Sequence, residues 1–190
     1  LTVLAKESTG LPANRIFASG TVLDTSRLRW QLARRAGVAP SSVHAVIVGE
    51  HGDTGFSLWS SASIGTVPIL EWIKPDGTRF TVQELDEIAI AVRDAAYKVI
   101  EGKGATNYAI GITSARIIEA ILNDEHAILP VSTVLENFHP LKNVALSLPS
   151  VVSADGARPI LQTSFSPAEL ALLRASGDSL AAVANSLRNP

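Results

Sequence analysis

Hydrophobic residues along this chain recur with two different spacings, and together these predict a mixed α+β fold. Apolar residues three or four positions apart are typical of helices, which are predicted over residues 1–9, 22–36, 82–101, 106–122 and from 167 onward. Short apolar runs predict strands over residues 14–18, 43–48, 127–135 and 144–152, with an extended region at 56–64. A hairpin turn is predicted at 154–157. We therefore expect antiparallel strands packed against long helices.

Glycines and capping residues mark several helix ends. Gly10 and Gly37 follow the first two helices, as glycine commonly does at a helix C-terminus. The segment 81–84 is a capping box, and the helix that it begins is predicted to continue until Gly102. The segment 166–169 is a second capping box, with proline at its preferred first helical position.

Composition limits the classes of protein that this chain can belong to. It has 190 residues, of which 46% are hydrophobic and 18% charged, so we expect one folded domain or slightly more. The net charge of −2 and the lack of a basic stripe argue against nucleic acid and anionic membranes as partners. No apolar run approaches the ~20 residues of a membrane helix. Cysteine is absent, which fits a cytoplasmic protein. Methionine is absent too, so we expect a fragment of a longer chain.

The candidate chemistry lies in two segments. Gly49-Glu50-His51-Gly52-Asp53 follows the predicted strand 43–48, and a histidine can take and give a proton near neutral pH. Asp24 and Arg27 lie three residues apart at the start of a predicted helix, hence on one face. A carboxylate could orient the imidazole, and a guanidinium could bind an anion. The alternatives are a structural histidine at a strand end and a surface ion pair.

Three motifs resemble the L-lactate dehydrogenase family of the lactate/malate dehydrogenase superfamily. They are the segment 49–53, the segment Ala18-Ser19-Gly20-Thr21-Val22-Leu23-Asp24-Thr25-Ser26-Arg27, and residues 103–111. Ala18 replaces the family's usual first glycine. The resemblance covers only the C-terminal catalytic domain, residues 1–190, and implies that an N-terminal NAD-binding Rossmann domain lies upstream. No G-x-G-x-x-G motif follows a predicted strand in this chain.

The resemblance also implies roles for individual residues. His51 would exchange a proton with pyruvate or L-lactate, Asp24 would orient it, and Arg27 would bind the substrate carboxylate. Thr106 would contact substrate, although it could equally cap the helix that follows. Ser19 would approach the nicotinamide of NAD, although a serine before glycine is also a common turn residue.

Arg29 and His44 form a second predicted set. Arg29 lies about 200° around the helix from Arg27, since each residue turns an α-helix by about 100°. The resemblance to allosteric bacterial enzymes implies that Arg29 and His44 bind fructose 1,6-bisphosphate between subunits of a homo-oligomer, expected to be a tetramer. The alternative is a pair of solvated surface residues. No metal site is expected, because Glu50, His51 and Asp53 lack a metal-ligand spacing.

Two other functions compete with an NAD-dependent L-lactate dehydrogenase. A malate dehydrogenase of the same fold would share the histidine, aspartate and arginine. A non-catalytic module for oligomerisation or sugar-phosphate binding would use the amphipathic helices. Because the NAD-binding half is missing, we expect the isolated chain to be inactive.

Overall fold

A computed structural model describes residues 1–136, 138, 141 and 143–188, which form an α+β domain of helices and short antiparallel strands. The α-helices in this part are α1 Thr2–Thr9, α2 Val22–Ala36, α3 Val82–Arg93, α4 Ala95–Lys103, α5 Tyr108–Leu122 and α6 Pro167–Arg188. The strands are β1 Phe17–Ala18, β2 Val43–His44, β3 Ile47–Val48, β4 Phe56–Ser57, β5 Ser63–Ile64, β6 Val67–Pro68, β7 Ala127–Leu129, β8 Ser132–Leu135, β9 Val144–Ser147, β10 Ser150–Ser153 and β11 Gly156–Pro159. Among the described residues, no helix combines the length and apolarity needed to cross a membrane.

Short antiparallel sheets connect distant parts of the chain. Their strand orders are β1-β8-β9, β11-β10-β7 and β2-β5-β6, with β3 and β4 as a separate pair. Gly49 extends β3 toward β9, because its N–H and C=O both bond to the backbone of Ser147, at 2.9 and 2.8 Å. The residue two positions before His51 is therefore fixed to the first sheet.

Three hydrophobic clusters form the core. In the first, Leu28 and Leu32 of α2 pack against Leu85 and Ile88 of α3. The second joins β3, β8 and β9 to Leu173 of α6, and the third joins α5 to the β7 and β10 region. Each fully buried leucine contributes about 1.5–3 kcal/mol relative to an exposed one. Helix α2 contributes to the first and third clusters, so its position is set from two sides.

The predicted strand over residues 43–48 is wrong as a single element. Its first part, β2, pairs with β5, whereas its second part, β3, pairs with β4. Between them the carbonyl of Ala45 accepts a hydrogen bond from Arg29 Nε at 2.9 Å, so a side chain replaces a sheet partner. The chain can therefore change sheets at this point.

Other predicted boundaries also differ for identifiable reasons. In the segment 14–18, residues 13–15 form a 3₁₀ turn and only Phe17–Ala18 pairs with β8. The segments 127–135 and 144–152 are each divided into two strands near Pro130 and Pro149, since proline cannot donate to a sheet.

The helix predicted from residue 82 to Gly102 is two helices, α3 and α4, which meet at Asp94. Ile88 and Val92 of α3 are buried, whereas no residue of α4 is. Helix α4 is therefore not held to the direction of α3 by packing against the core. Helix α4 ends at Gly104, with φ 79°, rather than at Gly102.

The capping box at residues 166–169 is confirmed, because both of its hydrogen bonds are present. The Ser166 N–H donates to Glu169 Oε2 at 2.8 Å, and the Glu169 N–H donates to Ser166 Oγ at 3.3 Å. Glu169 Oε1 also accepts the Ser60 N–H at 2.9 Å. Burial alone would raise the pKa of Glu169, but the hydrogen bonds from Ser60 and Ser166 lower it below the usual value. Only half of the box at 81–84 forms, since the Glu84 carboxylate pairs with Lys74.

We expect Glu169→Gln to lower the free energy of unfolding by about 1–2 kcal/mol at pH 7, because the glutamine amide has one neutral acceptor oxygen and leaves the second backbone N–H without an acceptor. Because the pKa of Glu169 is lower in the folded state, its ionised carboxylate stabilises the fold at pH values above the pKa of about 4.3 that a glutamate has in an unfolded chain. This contribution disappears as the pH falls through the pKa of Glu169 in the folded state. Urea unfolding at pH 7 and near pH 3.5 measures both effects. Glu101→Gln, an exposed change on α4, is the control, and an equal loss in both variants would contradict the assignment.

Candidate active site

His51 lies in the loop that connects β3 to β4. Its side chain is 57% exposed, and its position follows from Gly49, whose backbone is held by Ser147. Within the loop, the Thr54 hydroxyl donates to a carboxylate oxygen of Glu50. Asp53 makes no such bond within the described residues, so Glu50 and not Asp53 tethers the loop.

Asp24 lies in the first turn of α2 and its side chain is only 13% exposed. His51 Nδ1 lies 2.6 Å from Asp24 Oδ2, a short hydrogen bond of the kind that charge assistance favours. Because a carboxylate only accepts, the proton of this bond belongs to Nδ1. The other ring nitrogen, Nε2, is therefore available to a ligand. The predicted association of Asp24 with His51 is present in the structure.

Two threonines hold α2 against the strand that leads to His51. Thr21 Oγ1 donates to the carbonyl of Ile47 at 2.5 Å, and Thr25 Oγ1 accepts the Ile47 N–H at 2.9 Å. Both hydroxyls are buried and lie one helical turn apart, on either side of Asp24. They therefore set the separation between the carboxylate and the histidine loop. Sequence reasoning missed them, although hydroxyl residues four apart around an acidic residue at a helix start were the available signal.

Arg27 also reaches Asp24, but more weakly. Its Nη1 lies 3.5 Å from Asp24 Oδ1, at the long limit of a hydrogen bond, and its side chain is 21% exposed. Within the part of the chain that the structure describes, this is the one hydrogen bond of its guanidinium. Most of its N–H donors therefore remain available for an anion.

Two cavities meet at His51. The first cavity measures about 240 Å³, and its lining includes Asp24, His51, Asp53, Phe56, Arg93 and Tyr97. The second cavity measures about 360 Å³, and its lining includes Leu1, Ser19, Gly20, His51, Val144 and Leu180. Because the imidazole borders both, a group bound in either cavity could approach it. Sequence reasoning missed Arg93 and Tyr97, which lie four residues apart on either side of the α3–α4 break.

The surroundings of His51 favour its protonated form. The hydrogen bond to Asp24 raises the pKa of His51 above the usual value, burial opposes the rise, and the charge of Asp24 adds to it. The carboxylate of Glu50 raises this pKa further, whereas the nearby Arg27 lowers it. The imidazole can therefore hold a proton near neutral pH and release it to a ligand.

Ser19 and Thr106 differ in their relation to this site. Ser19 is half-buried in the lining of the second cavity, together with His51. Thr106 is exposed just before α5, whose N-cap is Asn107, and it lines neither cavity. The structure therefore brings Ser19 near His51 but not Thr106.

Arg29 of α2 and His44 of β2 lie outside the lining of both cavities. Arg29 is half-buried and donates to the carbonyl of Ala45, and burial lowers its pKa from the usual value. His44 precedes Ala45 and is exposed on β2, so the two side chains belong to neighbouring positions. Arg29 is thus held in position rather than freely solvated. Within the described residues, no three His, Cys, Asp or Glu side chains form a group that could hold a metal ion.

Residues 21–189 match the sequence pattern of the lactate/malate dehydrogenase α/β C-terminal domain. The chain belongs to this family. An L-lactate dehydrogenase from Bifidobacterium animalis subsp. lactis is 45% identical over 95% of the chain, which spans 57% of that protein. The solved minor L-lactate dehydrogenase of Enterococcus mundtii superposes with a TM-score of 0.91 at 40% identity, over 100% of this chain and 60% of that one. A lactate dehydrogenase from a Medee basin deep-sea metagenome library gives a TM-score of 0.89 at 37% identity, over 95% of this chain and 57% of that one.

The matches confirm the family resemblance drawn from the three motifs and the α+β fold predicted from the hydrophobic spacing. This lactate/malate dehydrogenase domain spans a little more than half the length of the relatives that it matches. The family pattern begins at Thr21 and so includes both Asp24 and His51.

We expect Asp24→Asn to lower the pKa of His51 from its raised value toward the ordinary value of a histidine, because the hydrogen bond to Asp24 and its negative charge both raise it. Because the pKa of His51 is higher in the folded state, its bond to Asp24 stabilises the fold fully at pH values below the pKa of His51 in the unfolded chain. This contribution disappears as the pH rises through the pKa of His51 in the folded state. NMR titration of the imidazole measures the shift, with His51→Gln assigning the signal.

Asp53→Asn is the matched control, because Asp53 lines the same cavity without a hydrogen bond to His51 in the described structure. An equal drop in the His51 pKa in both variants would contradict the role of Asp24.

Proposed function

We propose that the protein containing this chain is an NAD-dependent L-lactate dehydrogenase that interconverts pyruvate and L-lactate. The observation that carries the proposal is the 2.6 Å bond between His51 and the buried Asp24, at the junction of two cavities. The similar proteins named above as L-lactate dehydrogenases support the choice of substrate.

His51 acts as the proton donor and acceptor. Since its pKa is raised, the imidazolium persists near neutral pH and can protonate the carbonyl oxygen of a 2-oxo acid from Nε2. In the reverse direction, neutral Nε2 accepts the hydroxyl proton of the 2-hydroxy acid. The Asp24 carboxylate keeps the ring in the required tautomer and stabilises the imidazolium.

Arg27 binds the substrate carboxylate. Its guanidinium is largely buried, lies beside Asp24 and has donors to spare, as a forked contact with a carboxylate requires. Thr106 stays a proposed substrate contact on the resemblance alone, because it is exposed in the segment between α4 and α5 and lines neither cavity.

The second cavity fits part of a dinucleotide cofactor. Its size falls within the usual range of ligand pockets, about 300–1,000 Å³, and its walls are mainly apolar with the polar Ser19 beside His51. Ser19 would contact the nicotinamide amide there, and the upstream domain would hold the rest of NAD. When bound, NAD supplies and accepts the hydride. Residues of this chain supply the proton and the substrate contacts.

The decisive test uses the chain extended upstream through its NAD-binding half. With NADH and pyruvate, we expect cofactor oxidation that His51→Gln lowers by about 10²- to 10⁴-fold in kcat, because the proton donor is lost. Arg27→Lys should raise KM for pyruvate by about tenfold to a hundredfold, since lysine cannot make the forked contact.

The same assay with oxaloacetate separates the two enzymes of this fold. Faster turnover of oxaloacetate than of pyruvate would favour a malate dehydrogenase. No turnover of either substrate would favour the non-catalytic module. The 190-residue chain alone should oxidise no NADH with either substrate, because it lacks most of the proposed cofactor site.

We also propose an activator site for fructose 1,6-bisphosphate at Arg29 and His44, in a cytoplasmic homotetramer of the bacterial allosteric type. Its support is the hydrogen bond from Arg29 to the carbonyl of Ala45, the residue that follows the exposed His44. Exposed apolar side chains on α5, including Tyr108, Ile112 and Leu122, suit contact between subunits.

We expect the double variant Arg29→Gln, His44→Gln to lose activation by fructose 1,6-bisphosphate in the extended protein, because both proposed phosphate-binding side chains are removed. The ratio of rates with and without the sugar bisphosphate should fall to about one, because the proposed hydrogen bonds from these two side chains to the phosphate groups are lost. Arg34→Gln, an exposed change on the same helix, should retain activation. Undiminished activation of the double variant would exclude this site.

A further inference from the structure

Ser176 of α6 contacts the loop that carries His51. Ser176 is fully buried. Its hydroxyl oxygen accepts the Glu50 N–H at 2.8 Å and lies 3.0 Å from Thr54 Oγ1. Ser176 is 126 positions from Glu50 in sequence, so this contact depends on tertiary structure. A buried serine between apolar positions of a helix would otherwise be interpreted as a small core residue.

The donors in this cluster can be assigned in one consistent order. The Glu50 N–H must donate to Ser176 Oγ, and an ionised Glu50 carboxylate must accept from the Thr54 hydroxyl. The Ser176 hydroxyl proton is then free to donate to Thr54 Oγ1. The three bonds form a closed circuit from the backbone of Glu50 to its own side chain. This circuit holds the backbone on the N-terminal side of His51.

Gly49 allows the loop to approach α6 this closely. Its φ is +90°, and a Cβ atom there would lie 2.9 Å from Ser176 Oγ and 3.4 Å from Ser176 Cβ. The same glycine is fixed on its other side by Ser147. The backbone before His51 is therefore held between β9 and α6.

We propose that Ser176 is a positioning residue that keeps the His51 loop on α6, so that the imidazole stays bonded to Asp24. The contacts of α2 set the position of the carboxylate, and those of Ser176 set the position of the histidine. The proposal rests on the proposed function for its kinetic consequence, but its geometric part concerns the His51–Asp24 distance alone.

The first measurement is the pKa of His51 in the chain, by NMR titration. In Ser176→Ala, the loop loses its acceptor, so the pKa should fall toward the ordinary value. The charged groups that act on the imidazole, Asp24, Glu50 and Arg27, are unchanged in sequence. Ser150→Ala is the control, because it removes a hydroxyl that is equally buried and bonded to Leu148 O at 2.9 Å. An unchanged His51 pKa in folded Ser176→Ala would overturn the proposal.

Thr54→Val provides a second route should Ser176→Ala fail to fold. It opens the circuit from the loop side at a half-buried position, and should shift the His51 pKa in the same direction by less. No shift in this variant would likewise overturn the proposal.

The kinetic measurement uses the chain extended through its NAD-binding half. Ser176→Ala should lower kcat for pyruvate by roughly tenfold with KM unchanged, because a small displacement of a proton donor costs rate while Arg27 stays in position. An equal effect of Ser150→Ala would reduce the role of Ser176 to general stability. If the unmodified protein does not reduce pyruvate, the proposed function fails, and the NMR result alone decides whether Ser176 positions His51.

Discussion

The hydrogen bond between His51 Nδ1 and Asp24 Oδ2 is the interaction on which the rest of the site depends. It joins a loop after β3 to the first turn of α2, across 27 positions in sequence. A bond of 2.6 Å tolerates little displacement, so both elements need independent support. Thr21 and Thr25 supply it for α2 by binding both backbone groups of Ile47.

Unequal burial of the two partners gives the pair its chemistry. Asp24 is largely removed from water, so its charge acts strongly on the few groups near it. His51 remains more than half exposed and borders both cavities, where a ligand can reach Nε2. A fully buried histidine would be held equally well, but it could not exchange a proton with a substrate.

The walls around this pair come from elements distant in sequence. The first cavity lies between the His51 loop and the junction of α3 with α4, whereas the second extends from α1 to α6. The break at Asp94 lies beside the first cavity, whose lining includes Arg93 at the end of α3 and Tyr97 in α4. The chain itself spans 57% of the Bifidobacterium relative.

The amino-acid sequence by itself determined the family, the α+β class and the limits of α2, because these follow from local spacing, glycine C-caps and short motifs. It indicated the Asp24–His51 pair only through the family resemblance, since 27 positions separate the two residues. It did not determine where strand 43–48 changes sheets or that Thr106 lies away from His51. Nor did it indicate that Ser176 would meet Glu50. These depend on contacts between residues far apart in the chain. Only the tertiary structure decides such contacts, because a hydroxyl on a helix has the same local pattern whatever it faces.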